Sequence, residues 1–205
     1  MKTLIAIPCM DNVAAGFAQS LASLRKVGDC AVSFMVGSLI YDSRNKLAKQ
    51  AVEMEADYIL WLDSDVIFNP DLMERLYALD ADIATGLYFR RTAPFTPVIF
   101  KTLEKEDGHL INEGYEDYPE DPFEVAGCGF GAVLMKADVL FNMPDPGMWF
   151  TPAYNAGEDI AFCMRAREAG YKIVCDPKAQ LGHVGHVTIT ENFYKQVKQN
   201  GKNNS

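Results

Sequence analysis

Short apolar runs alternating with segments of helical period constrain the fold of this chain more than any other feature. Residues 3–7, 31–36, 58–62 and 82–88 each read as a strand, rich in residues that suit a pleated, buried surface. Between them, residues 16–26 and 42–55 read as helices, and Pro70 opens another that carries Leu72, Leu76 and Leu79. In the 42–55 segment Leu47, Ala48, Ala51 and Val52 recur at helical spacing, and Asp42 or Ser43 can cap its start. This order calls for a mostly parallel sheet with right-handed crossovers and helices on its faces. With 205 residues, 49% of them apolar, the chain can bury one sizeable α/β core, whereas two full domains would be cramped.

The second half is less regular. Residues 101–123 are acidic, with Gly108, Gly114 and two prolines, and read as a hairpin or loop laid across one edge. Residues 125–135 are punctuated by Gly127, Gly129 and Gly131 before an apolar strand. A helix over 158–169 ends at Gly170, a residue suited to the C′ position, and residues 171–175 form a last strand. The tail after Lys195 is polar and reads as frayed.

A net charge of −9 argues against general nucleic-acid binding, because phosphate backbones attract basic surfaces. Five scattered cysteines, without a Cys-x-x-Cys pair, suit reduced thiols in a cytoplasm better than a disulfide framework or a zinc site. The opening Leu4-Ile5-Ala6-Ile7 breaks at Pro8, too short for a signal-peptide core, and no run approaches the length of a membrane span. The expectation is a soluble, cytoplasmic protein.

Chemistry concentrates in a few places. The 58–62 strand ends in Asp63-Ser64-Asp65. On an extended segment, side chains two apart point the same way, so both carboxylates can converge on a hard divalent ion such as Mg²⁺ or Mn²⁺. Their position at the carboxyl edge of a sheet is where open α/β folds bind ligands; a strand-end turn capped by aspartates is the plainer account. Arg44 falls in the first turn of its helix, an unfavourable place for a cation unless an anion sits there too. Glu158 and Asp159 open the last helix; they stabilise its N-terminus, and a carboxylate there can also accept a proton from a hydroxyl. His183 and His186 lie in a glycine-flanked loop, and imidazole can complete a two-carboxylate metal site. The Gly127, Gly129, Gly131 triple precedes a strand instead of opening a helix, so it is no dinucleotide fingerprint; a bulge or close approach to a sugar fits better.

Together these segments resemble the nucleotide-sugar-dependent glycosyltransferases of the GT-A fold, in particular the family-2-like group and its short phage and bacterial relatives. The similarity runs from Ile5-Ala6-Ile7-Pro8 through Ser43-Arg44-Asn45-Lys46-Leu47-Ala48 and Trp61-Leu62-Asp63-Ser64-Asp65. It continues through the glycine-rich strand and residues 157–171, and closes on Asp176-Pro177 and Gly182-His183-Val184-Gly185. It implies an α/β fold of GT-A type: a single Rossmann-like, mixed, mostly parallel sheet flanked by helices, over residues 1–195, with 196–205 as a tail. It implies that Asp63 and Asp65 hold Mn²⁺ or Mg²⁺ on the donor diphosphate, with His183, or alternatively His186, as third ligand. Arg44, Asn45, Ser64 and the backbone near Pro8 would face the nucleotide, and Gly86-Leu87-Tyr88 with Gly127 and Gly129 the sugar. Asp159, or in second place Glu158, would be the general base of an inverting transfer. The donor would be a nucleoside-diphosphate sugar, and the acceptor a glycan, lipid, protein or modified nucleobase, in a bacterial or phage-infected cell. The chain departs from the pattern at Val36-Gly37-Ser38, where the family often carries an acidic residue, and in its short C-terminal region.

Two other readings compete. A magnesium phosphotransferase of the haloacid-dehalogenase type also uses Asp-x-Asp, but on its first strand, whereas here the pair follows the third. A sugar- or nucleotide-binding module that lost transfer would bind nucleotide with metal yet show no donor turnover.

Overall fold

The computed structural model describes residues 1–37, 39–185, 189–191, 193, 195 and 198. Strand β1 (Lys2–Cys9) is buried along both faces, as a run without polar alternation demands: Leu4 and Ala6 pack on one side, Ile5 and Ile7 on the other. Helix α1 (Ala15–Ser23) leads to β2 (Asp29–Val36), and α2 (Ile40–Glu53) to β3 (Tyr58–Leu62). A short β4 (Val66–Phe68), α3 (Leu72–Ala78) and β5 (Ile83–Leu87) follow.

The acidic segment is a hairpin of β6 (Ile99–Glu106) and β7 (His109–Gly114). After β8 (Phe123–Val125), β9 (Gly127–Cys128) pairs with β6, and β10 (Ala132–Lys136) returns to the main sheet before a 3-10 turn over Ala137–Leu140. Helix α4 (Glu158–Glu168) and β11 (Ile173–His183) follow. The α4 helix stops as Gly170 predicts: at φ +92° it donates to Arg167 O while Tyr171 N reaches Ala166 O, the paired bonds of a Schellman motif.

The main sheet has eight strands in the order β2-β1-β3-β10-β5-β11-β4, with β8 also on β11. Strands β1, β2, β3, β5 and β11 run one way, and β10, β8 and β4 oppose them, so the sheet is mixed and mostly parallel. A three-stranded sheet, β7-β6-β9, stands beside it. Helices cover both faces: α2 and α4 on the side of Leu4 and Trp61, α1 and α3 on the side of Ile5 and Leu60. From β1 the chain crosses first to β2 on one side and then to β3 on the other. That reversal opens a crevice at the carboxyl ends of the strands.

Three local expectations change. Helix α2 begins at Ile40 with Leu39 as its uncapped N-cap, so neither Asp42 nor Ser43 caps it and Arg44 sits beyond the first turn. The last strand does not end at Cys175; it continues through Pro177, past a register shift, to His183, where it pairs with β4. Residues 63–65 form a turn between β3 and β4 and are not extended, so the i, i+2 argument for Asp63 and Asp65 does not apply to their backbone.

Candidate active site

The crevice at the β1/β3 reversal holds a cleft of about 420 Å³. Its walls come from Pro8 and Cys9 at the end of β1, Met10 after it, Gly37 after β2, Ile40 and Arg44 of α2, and the Asp63-Ser64-Asp65 turn. Arg91, Glu158 and Asp159 of α4, and His183 at the end of β11 complete it.

Backbone pairing sets the turn. Asp63 N donates to Gly131 O at 3.0 Å, and Val184 N to Asp65 O at 2.8 Å, so the residues just before β10 and just after β11 grip it from two sides. Because His183 is registered against Val66, the extension of β11 is what carries the imidazole to Asp65. His183 Nδ1 lies 2.9 Å from Phe89 O. A carbonyl only accepts, so Nδ1 carries the proton and Nε2 is left facing Asp65 Oδ1 at 3.6 Å. The Tyr88 ring packs edge-on against the imidazole, centroids 5.3 Å apart.

Each aspartate meets its own cation. Asp63 Oδ1 accepts from Arg44 Nη2 at 2.8 Å, and Asp65 Oδ2 from Arg91 Nη1 at 2.6 Å. Arg44 is 3% exposed and lies over the rings of Phe130 and Phe150, with its Cζ 5.1 and 5.8 Å from their centroids. Its Nε is 3.7 Å from Glu158 Oε1, and neither Nε nor Nη1 has a hydrogen-bond acceptor among the described residues. The anion expected beside Arg44 is therefore in the first place internal, the carboxylates of Asp63 and Glu158.

The electrostatics follow burial. Burial pushes Asp63 up to about 6, against the pull of Arg44 and with help from the charges of Asp65, Asp159 and Glu158. Glu158 is raised too, again chiefly by burial and against Arg44. For Asp65 burial also raises, but the facing His183 imidazole and the Arg91 charge outweigh it and hold the carboxyl below its usual range. The facing Asp65 carboxylate in turn raises His183. Burial alone would depress Arg44, and the surrounding carboxylates more than reverse it.

Two carboxylates and an imidazole nitrogen facing one of them form a donor set that suits Mg²⁺ or Mn²⁺. An acceptor nitrogen and a carboxylate oxygen 3.6 Å apart are mutually unfavourable unless a proton or cation lies between them. Among the described residues no three such groups stand close enough to hold an ion as they are, because Asp63 is turned onto Arg44 and Asp65 onto Arg91. The set fits the ion chemically, and Asp63 and Asp65 must turn from their arginines to close on it.

Of the residues singled out in the sequence, Pro8, Arg44, Asp63, Ser64, Asp65, Glu158, Asp159 and His183 line this cleft. His186 lies outside the described residues. Others are not brought there. Asn45 faces the far side of α2, where its Oδ1 accepts from Phe150 N at 2.8 Å. Gly86 packs against β11, where an added Cβ would stand 2.7 Å from Ala179 O. A Cβ at Gly127 would meet Leu103 at 2.5 Å, and one at Gly129 would stand 2.0 Å from the Tyr88 hydroxyl. The glycine-rich run thus makes room for the protein's own side chains, and Tyr88, 5% exposed, fills that room. Arg91, Met10 and Ile40 were not anticipated. For Arg91 the available signal was a basic pair, Arg90-Arg91, just past a strand end in an acidic chain.

No protein-family model matches this chain, and no curated protein matches its sequence. Solved structures do resemble it. A197 from STIV superposes with a TM-score of 0.59 at 18% identity, over 93% of this chain and 98% of that one. GalNAc-T7, solved with UDP, GalNAc and Mn²⁺, gives a TM-score of 0.61 at 10% identity over 91% of this chain. The chain spans 43% of the length of GalNAc-T7. At such identities the likeness is one of fold, and the fold is α/β and GT-A-like.

Proposed function

We propose that this chain is a metal-dependent glycosyltransferase that moves a sugar from a nucleoside-diphosphate sugar to an acceptor hydroxyl, with inversion. The observation that carries this reading is convergence. Asp63, Asp65, Arg91, Asp159 and His183, from four separate segments, line one cleft at a topological switch point of a GT-A-like sheet.

Asp63, Asp65 and His183 would hold Mn²⁺ or Mg²⁺, which when bound offsets the charge of the departing diphosphate. Arg44 clamps Asp63 and stands beside Glu158, fixing two carboxylates that would otherwise repel each other. Asp159, at the mouth of α4, takes the acceptor's proton as the hydroxyl oxygen attacks the anomeric carbon and the bond to the diphosphate breaks. Glu158 is the less suitable base, because its carboxylate is held beside the buried Arg44.

The test is release of nucleoside diphosphate from a panel of nucleotide sugars, with and without Mn²⁺. Turnover should need the cation and vanish in Asp65→Ala. Asp159→Asn should still bind donor but fail to transfer. Normal turnover by Asp65→Ala would sink the metal assignment, and surviving transfer in Asp159→Asn would move the base elsewhere.

A further inference from the structure

Arg91 stands where the proposed metal would be needed. Its Nη1 is 2.6 Å from Asp65 Oδ2, while His183 Nε2 faces the other oxygen, Oδ1, at 3.6 Å. The carboxylate is thus held between two groups of its own chain. The guanidinium is 49% exposed and rides on a short loop closed by Arg90 N to Thr96 O and the Phe89–Pro97 bridge. A half-exposed pair of this kind is weak and easily exchanged for another partner.

Charge balance says what that partner is. The cleft is lined by four carboxylates, Asp63, Asp65, Glu158 and Asp159, and by two guanidiniums. Arg44 is buried and committed to Asp63 and Glu158, so Arg91 is the one exposed guanidinium lining the cleft among the described residues. A diphosphate entering here adds negative charge to an already negative cleft. A divalent ion on the aspartates would offset part of it and relieve Asp65 of its need for Arg91. The freed guanidinium would then face incoming phosphate oxygens, which its planar fork suits.

We propose that Arg91 is an exchangeable cation: it holds Asp65 in the metal-free chain, is displaced when a divalent ion binds, and then pairs with the diphosphate of the ligand. This rests on the metal-diphosphate reading of the cleft and adds a residue and an order of events to it.

The experiment measures binding to the full chain, not turnover. Free Mn²⁺ is followed by electron paramagnetic resonance during titration of the wild type, Arg91→Met, Arg91→Lys and Asp65→Ala. Dilute inorganic pyrophosphate is then titrated in Mn²⁺ by calorimetry. Arg91→Met should bind Mn²⁺ alone roughly fivefold more tightly than wild type, the scale of one exposed ion pair, yet bind pyrophosphate with Mn²⁺ more weakly. Arg91→Lys should fall between in both, and Asp65→Ala should lose the Mn²⁺ site. Equal or weaker Mn²⁺ binding by Arg91→Met overturns the exchange, while wild-type uptake abolished by Asp65→Ala keeps the metal reading standing. Unchanged pyrophosphate affinity in Arg91→Met overturns the phosphate role. No uptake by wild type or Arg91→Met at millimolar Mn²⁺ overturns both readings.

Discussion

Arg44 is the residue on which the cleft's internal order turns. It is a buried cation between two carboxylates, both raised mainly by burial, Asp63 to about 6. Replacing it with Met keeps volume against Phe130 and Phe150 but strands those carboxylates, a change expected to cost about 3 kcal/mol. The sign of its pH dependence follows from linkage. A carboxyl whose folded pKa is raised above its unfolded value of 3.8 contributes stability below that value and loses it as pH rises through about 6. Without Arg44 both carboxyls move higher still. The deficit of Arg44→Met relative to wild type should therefore be small near pH 5 and grow above pH 6. Urea denaturation in EDTA across that range checks it, and a deficit independent of pH would assign the loss to packing instead of charge. At this scale the sequence was informative about residue type but not direction. Arg44 and Asn45 adjoin in one motif, yet the helix starts at Ile40 and turns the first into the cleft and the second toward Phe150. That rotation depends on where the first helical residue falls, which no capping side chain marks.

At the scale of elements, the glycine-rich run before β10 raises a sharper question, because it read as a sugar-facing surface and folds as a socket. Tyr88 projects from the end of β5 across Gly129 and Gly131, and its ring also braces His183. Gly129→Ala would set a methyl 2.0 Å from the Tyr88 hydroxyl and 2.8 Å from Val98, so it should destabilise by about 2 kcal/mol, as overpacking does. Tyr88→Leu in the same chain should relieve part of that cost, giving a favourable coupling in a double-mutant cycle. Additive effects would mean that the two do not compete for this space. The strands themselves were legible where burial on both faces leaves a continuous apolar run, as in β1 and β3. Strand β4 and the end of β11 were not. β4 has three residues and follows the Asp63–Asp65 turn, and β11 carries Pro177 and a register shift. A proline inside a run argues against a strand, and pairing of Gln180 with β5 and of residues 181–183 with distant β4 overrides that. His183 reaches the cleft through that pairing, so its place beside Asp65 could not be read locally.

For the molecule as a whole, charge and topology meet at one place. A chain of net charge −9 gathers four carboxylates at the switch point of its sheet, against Arg44, Arg91 and His183. Such a cleft repels a diphosphate until a cation intervenes, so nucleotide and metal should bind as a coupled pair. Binding to the folded state alone adds about 2.7 kcal/mol of apparent stability at a hundredfold excess over Kd. For a chain of this length each kcal/mol moves the melting temperature by roughly 2–4 °C, so the pair should raise it by about 5–10 °C. In a thermal-shift panel of nucleoside diphosphates, nucleotide in EDTA should leave the melting temperature unmoved and Mn²⁺ alone should move it slightly. One base should stand out with both present. A full shift from nucleotide in EDTA would mean that Arg91 and the strand-end backbone suffice for the diphosphate, and the carboxylates of the Asp63–Asp65 turn would then need another role. The coupled outcome would tie the acidic turn, the β1/β3 reversal and the extension of β11 into a single binding unit.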